Sequence, residues 1–147
     1  MRGIIFFIAM LATAVALGGA LAHALELPNK IGLPVNDYFT VQQIYRGWDK
    51  LGFLLAIELA AMIATAILYR DEPAVRWSAI AAIVSLVAAQ AIFWTFTFPA
   101  NVATSNWTKI PENWEQLRRN WEYSHAAGAF FQLLAMAALI WGALSRR

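Results

Sequence analysis

Apolar residues fall in four long blocks, at 4–25, 51–69, 74–98 and 126–144, separated by one tight polar turn and two longer polar connections. Each block is near or above the ~20 residues that an α-helix needs to cross a hydrocarbon core of about 30 Å. Lipid offers backbone N–H and C=O groups no partners, so every block is expected to be helical. The pattern predicts an all-α fold, a four-transmembrane-helix bundle of up-down-up-down topology forming one integral membrane domain over 1–147. The helices are expected at about 4–25, 48–69, 74–98 and 121–144, joined by two longer, partly helical external connections.

Those connections carry their own signals. In "ELPNKIGLPVNDYF" two prolines, a glycine and Asn36-Asp37 favour turns, and "TVQQIYRGWDKLG" is expected to begin the second helix above the membrane. Pro111 suits a first helical turn, from which a helix should run unbroken into the fourth span. The first block admits a competing reading as a secretory leader, because Ala22-His23-Ala24 resembles a processing site and cleavage there would remove His23. Its apolar run is longer than a usual leader core, which favours retention as a membrane helix.

Composition agrees with the pattern: 61% of residues are hydrophobic. With 11 basic and 9 acidic residues the net charge of +2 is too small and scattered to point to a nucleic-acid partner, and the lack of cysteine excludes disulfides and thiol chemistry. Arg2, Arg70, Arg76, Arg146 and Arg147 crowd the tails and the tight turn, whereas Lys30, Arg46, Lys50, Lys109, Arg118 and Arg119 in the long connections are diluted by carboxylates. The basic bias predicts both termini on the cytoplasmic side, with the chain multi-pass in its membrane.

Ionisable groups near the bilayer are expensive and so carry information. In "RRNWEYSHAAGAF" Glu122 and His125 are three residues apart, and Trp114, Arg118 and Trp121 share their face, with Gln132 continuing it inward. "AHALELP" holds a mirrored pair, His23 and Glu26. The first helix runs outward and the fourth inward, so the two histidines are expected to meet near the external end. A second tier of Glu58, Gln90 and Gln132 should lie roughly 12 to 15 Å deeper. Gln90, Trp94, Thr97 and Asn101 share a face of the third helix.

Several chemistries fit this set. The pairs can be interhelical hydrogen bonds that only hold the bundle, and Trp48, Trp94, Trp107, Trp114 and Trp121 can be an interfacial belt. Glu115 and Arg119 read as a solvated ion pair, and Asn106-Trp107-Thr108 matches a glycosylation acceptor by pattern. Glu-x-x-His on a bundle helix is also a di-iron signature, incomplete here, and a single metal held by His23, Glu26, Glu122 and His125 or a haem between the histidines are further readings. The cofactor thus stays open between none, a single metal and haem.

The stretches "HALELPNKIGLPVNDYFTVQQIYRGWDKLG" and "NVATSNWTKIPENWEQLRRNWEYSHA" are similar to uncharacterised bacterial four-helix integral membrane proteins, and the chain more distantly resembles the anthrone-oxygenase-like superfamily. The resemblance implies oxidation of a phenolic or polyketide-like substrate by dioxygen. A base would remove an acidic proton and nearby cations would hold the anion. In that reading His125 is the base, oriented by Glu122, while His23 and Glu26 form a second acid-base pair and Arg118 holds the anion. Trp94, Trp114 and Trp121, with Glu58, Gln90 and Gln132 below them, would line the substrate pocket. The alternative is a non-catalytic binder of haem, metal, quinone or lipid, or an accessory subunit of a membrane complex. Beyond the lipid bilayer, the expected partners are a small aromatic or lipid-like ligand and a second copy or a larger assembly.

Overall fold

The computed structural model describes residues 1–146, so the expectation for Arg147 lies outside the described residues. The described chain is helical: α1 (Arg2–Lys30), α2 (Val35–Gln42), α3 (Leu51–Leu68), α4 (Pro73–Ile92), α5 (Phe98–Ala103) and α6 (Trp114–Leu144). Short 3₁₀ turns at Gln43–Tyr45 and Trp48–Lys50 lead into α3, and a π-helical turn at Phe93–Thr97 joins α4 to α5. Four helical segments, Arg2–Lys30, Trp48–Leu68, Pro73–Ala103 and Trp114–Leu144, are long and apolar enough to cross a membrane. They pack as a ring in which α1 lies against α3 and α6, and α4 against α3 and α6. The chain is thus a small all-α membrane protein built as a four-helix bundle.

Large apolar side chains cover the outside of the ring, including Phe7, Leu11 and Val15 on α1, Phe53 and Ile57 on α3, Val84 and Val87 on α4, and Phe130 and Leu133 on α6. Exposed apolar surface of this extent suits lipid rather than water. The inner core is Phe6, Met62, Tyr69, Val75, Leu86 and Leu139, gathered toward the end that holds the termini. That tail end is closed by the tight turn before Pro73 and by an Arg2–Glu72 ion pair at 2.9 Å. At the opposite, loop end, α1 and α6 run 29 and 31 residues, more than the ~20 that span hydrocarbon, and carry the bundle past the apolar zone.

The loop end departs from expectation in three places. First, α1 does not stop near residue 25 but runs through Pro28 to Lys30. A proline in the last turn forfeits a single hydrogen bond, so the helix tolerates it there better than in mid-span. Second, the expected turn at Asn36-Asp37 lies inside α2, which starts directly after Pro34. Third, the third span is not a straight α-helix. Pro99 has no N–H and its ring crowds the carbonyl four residues earlier, and the chain answers by widening into the π turn ahead of it. The wider turn shifts the register, so Thr97 is buried while Trp94 is 59% exposed on the outside. The expected common face of Gln90, Trp94, Thr97 and Asn101 is thereby split.

Two backbone features fix the connections. Gly47 at φ 90° makes the left-handed corner into Trp48–Lys50. Ser105, Asn106 and Trp107 are all left-handed, at φ 50°, 54° and 62°. Each costs roughly 1–2 kcal/mol, and the strain is offset where the Trp107 ring is buried against Tyr38 and Phe39 and the Trp107 main-chain N–H donates to Thr104 Oγ1 at 3.0 Å. Asn106, the patterned glycosylation acceptor, sits within this left-handed turn.

α4 and α6 approach most closely at Gly142, where an added Cβ would stand 2.8 Å from Ser78 Cβ and 3.1 Å from Ser78 Oγ. Gly142→Ala is expected to destabilise the bundle by about 1–3 kcal/mol, read as thermal unfolding in mild detergent. Ser78→Gly in the same chain should recover most of that loss, and strict additivity of the two changes would contradict this packing.

Candidate functional site

His23 from the late turns of α1 and His125 from the early turns of α6 meet at the loop end. Their ring centroids lie 4.3 Å apart and tilted by 52°. Because α1 and α6 are antiparallel neighbours, the mirrored spacings converge at one level. An aromatic box encloses them: His23 packs on Tyr45 at 4.4 Å, on Trp48 at 5.1 Å and on Trp121 at 5.1 Å, and His125 lies on Trp121 at 3.9 Å.

The histidines differ in their hydrogen bonds. His125 Nδ1 stands 2.9 Å from the Trp121 carbonyl. A carbonyl only accepts, so Nδ1 carries the proton of the neutral ring and Nε2 is left with the basic lone pair. His23 Nδ1 is buried without a partner among the described residues. The orienting group for His125 is therefore a main-chain carbonyl and not Glu122.

Glu122 serves a different partner, which sequence reasoning missed. Lys30, read as one diluted loop charge, is 3% exposed and points into the bundle. Its Nζ lies 3.3 Å from Glu122 Oε1 and 3.5 Å from Glu26 Oε2. It also donates to Tyr45 Oη at 2.6 Å and sits over the Tyr45 and Trp121 rings at 4.5 and 4.7 Å. The Tyr45 hydroxyl in turn donates to Glu26 Oε2. The missed signal was spacing: His23, Glu26 and Lys30 fall at i, i+3 and i+7 on one face once α1 is extended past Pro28.

A second layer supports these groups. Tyr38 donates to Glu122 Oε1 at 2.9 Å and accepts from Gln42 Nε2. Burial, reinforced by the Glu122 carboxylate, pushes the Tyr38 phenol far above its ordinary value of 10.0. Burial and the hydrogen bond to Glu26 raise Tyr45 in the same way, so both hydroxyls remain donors. Asn101 Oδ1 accepts from the indole N–H groups of Trp107, at 3.1 Å, and Trp121, at 3.0 Å, and so ties the third span to α6. Thr97 and Ser124 hydroxyls meet at 2.6 Å just below.

Other expected members fall elsewhere. Arg118 does not face the histidines. It donates to the Leu33 carbonyl at 2.8 Å and stacks over Trp114 at 4.6 Å, strapping the α1–α2 connection to α6. Trp114 packs on Phe39 rather than on the histidine box, and Trp94 lies outside the bundle against Phe98. Glu115 and Arg119 pair at 3.8 Å, both exposed. The deeper tier exists in part: Gln132 donates to Glu58 Oε1, while Gln90 shows no side-chain hydrogen bond among the described residues.

The proposed metal set of His23, Glu26, Glu122 and His125 is not assembled. Among the described residues no three His, Cys, Asp or Glu side chains converge as metal ligands. Lys30 stands between the two carboxylates and pairs with both, and two imidazoles sharing one metal would have centroids about 5 Å apart or more, wider than the 4.3 Å seen. The same closeness argues against a haem iron between them. Beside the box, on the lipid side, a groove of about 400 Å³ is lined by Val15, Gly19, Gly47, Trp48, Lys50 and Leu51, and Trp48 separates it from His23.

Comparison of the chain with protein-family models, with curated proteins and with solved structures finds no match.

Removing a buried charge's partner leaves the other uncompensated. Lys30→Met is expected to lower stability by about 3–5 kcal/mol in detergent unfolding, and Lys30→Met with Glu122→Gln should regain a large part of it. A Lys30→Met protein as stable as the wild type would mean that the ammonium is not the counter-charge of Glu122.

Proposed function

We propose that the loop-end cluster binds a flat, weakly acidic phenolic molecule that partitions into the membrane, and takes up its proton. The observation that carries this reading is the close, tilted histidine pair in an aromatic box beside a buried ammonium. His125 Nε2 is the base, since its tautomer is set by the Trp121 carbonyl. Lys30, in place of Arg118, holds the resulting phenolate, with Tyr45 and the carboxylate it donates to, Glu26, behind it. The adjoining groove, whose apolar walls suit a ring and whose rim carries Lys50, meets the box at Trp48, the side chain that a ring must displace to enter.

The resemblance to anthrone oxygenases extends this to turnover. A doubly benzylic CH₂ deprotonated in the box reacts with dioxygen, the carbon becoming C=O and the second oxygen atom leaving as water. One dioxygen is thereby reduced by the four electrons that the CH₂ carbon loses. The apolar groove also favours a simpler reading, a carrier that binds the same ligand without turnover.

Reconstituted protein should bind dithranol, a dihydroxyanthrone, with quenching of tryptophan fluorescence, and Trp48→Ala should weaken the quenching. As an oxygenase it should also consume dioxygen, and His125→Gln should slow that consumption about 100-fold or more, the typical contribution of a general base. Binding without oxygen uptake would leave the carrier, and absence of binding would remove both readings.

The charge bias supports a tail end in the cytoplasm, and the resemblance to bacterial four-helix membrane proteins supports a bacterial inner membrane. Arg2, Arg70, Arg76 and Arg146 all lie at that end. The chain contains no cysteine, so single introduced thiols report sidedness. In intact cells an impermeant maleimide should label Lys109→Cys and spare Gly3→Cys, and the reverse pattern would invert the topology.

A further inference from the structure

One ionisable group plays no part in the loop-end cluster. Glu58 lies inside α3, seven residues from the helix's loop end and ten from its tail end, and is 0% exposed. At ~1.5 Å per residue it stands roughly 10 Å and 15 Å from the two ends. Its Oε1 accepts from the Gln132 amide, whereas its Oε2 is buried with no hydrogen-bond partner. Thr13 on α1 stands beside it, but that hydroxyl gives its proton to the Ala9 carbonyl at 2.8 Å, leaving only acceptor capacity. No charged side chain among the described residues acts on Glu58.

The groups around Glu58 therefore define its protonation state. A carboxylate in the middle of a bilayer costs several kcal/mol unless a cation or several donors answer it. Here one amide donor answers one oxygen, and the neighbouring hydroxyl can accept and not give. An un-ionised carboxyl fits this environment, with C=O toward Gln132 and O–H free to donate. The two directions away from it differ. Toward the tail end Phe6, Met62 and Leu139 form a closed apolar plug, with Tyr69 beyond. Toward the loop end the next titratable groups are the histidines. Gln132 lies two turns along α6 from His125, about 10 Å, and Thr13 lies ten residues, about 15 Å, from His23 on α1.

We propose that Glu58 is a proton-binding site within the bundle, a neutral carboxylic acid that exchanges its proton with the loop end and is sealed from the tail end. Such a group is a substrate for an apolar carbodiimide. The carboxyl proton passes to a carbodiimide nitrogen, the carboxylate oxygen adds to the central carbon, and the O-acylisourea rearranges to a stable N-acylurea with no atom lost. The ligand class here is the proton, and the site is independent of whether the loop end binds a phenol.

The test uses the full chain in lipid vesicles. Its infrared spectrum at neutral pH should contain the C=O band of an un-ionised carboxyl that is absent from Glu58→Gln, a variant whose amide can still accept from Gln132. In heavy water the wild-type band should shift within minutes, which reports exchange without any substitution. Dicyclohexylcarbodiimide should label Glu58 by peptide mass mapping, increasingly as pH falls, while a water-soluble carbodiimide should not. Absence of the band at neutral pH would overturn the proposal by showing a carboxylate. A band that neither shifts in heavy water nor accepts the label would overturn the exchange and reduce Glu58 to a fixed interhelical bond.

Discussion

The ammonium of Lys30 sits where α1, the α1–α3 connection and α6 converge, and its burial dictates what surrounds it. A cation removed from water must be met by acceptors from every side, and here α1 supplies Glu26, the connection supplies Tyr45, and α6 supplies Glu122. Each of those groups is then held in turn. Tyr38 is fixed by Glu122 and Gln42, and the Trp121 ring beneath the cation is fixed through its indole by Asn101. The histidine contact follows from this arrangement, since Trp121 packs against both rings, edge-on to His23, and Tyr45 covers His23. A charge network of this kind is a weak source of net stability but a strong constraint on geometry, because half-made versions of it are costly.

The bundle has two ends of different physics. The tail end is an apolar core of ordinary kind, closed by Phe6, Tyr69 and Leu139. The loop end is polar at its centre and aromatic around it. Glu58 and Gln132 mark the border between them. Donors for buried negative charge are pre-placed at the loop end, where Lys30 and Tyr38 face Glu122 and Tyr45 faces Glu26.

Much of this was legible in the sequence, for reasons that separate by length scale. Four spans followed from hydropathy alone, because lipid leaves the backbone no alternative to helices. The meeting of His23 with His125 followed from mirrored spacing on antiparallel helices, and the Glu58–Gln132 bond from equal depth. What could not be read depended on where helices end and how they twist. Pro28 looked like a terminator, so Lys30 looked like loop charge, although a proline in a last turn costs little. The π turn ahead of Pro99 moved Trp94 out and Thr97 in, a register shift that counting at 100° per residue does not contain. Arg118 shares a helix face with Glu122, but its length lets it reach the Leu33 carbonyl instead. Tyr38 and Trp107 gave no periodic signal because they lie on a short helix and in a turn whose placement is tertiary.

The contrast between the short turn at 69–72 and the long connections at the other end also bears on how the protein is made. α3 and α4, joined by four residues, can partition into lipid together as a helical hairpin soon after synthesis. α1 precedes them carrying Lys30 with Glu26 alone, and the buried carboxylate that faces the ammonium from the other side arrives only with α6, translated after the other three spans. Electrostatic closure thus follows the insertion of the first three spans. A chain that stops short of α6 leaves a cation at the bilayer surface without its buried counter-ion, and this marks the unfinished product by charge rather than by exposed apolar surface, which the native bundle displays to lipid in any case.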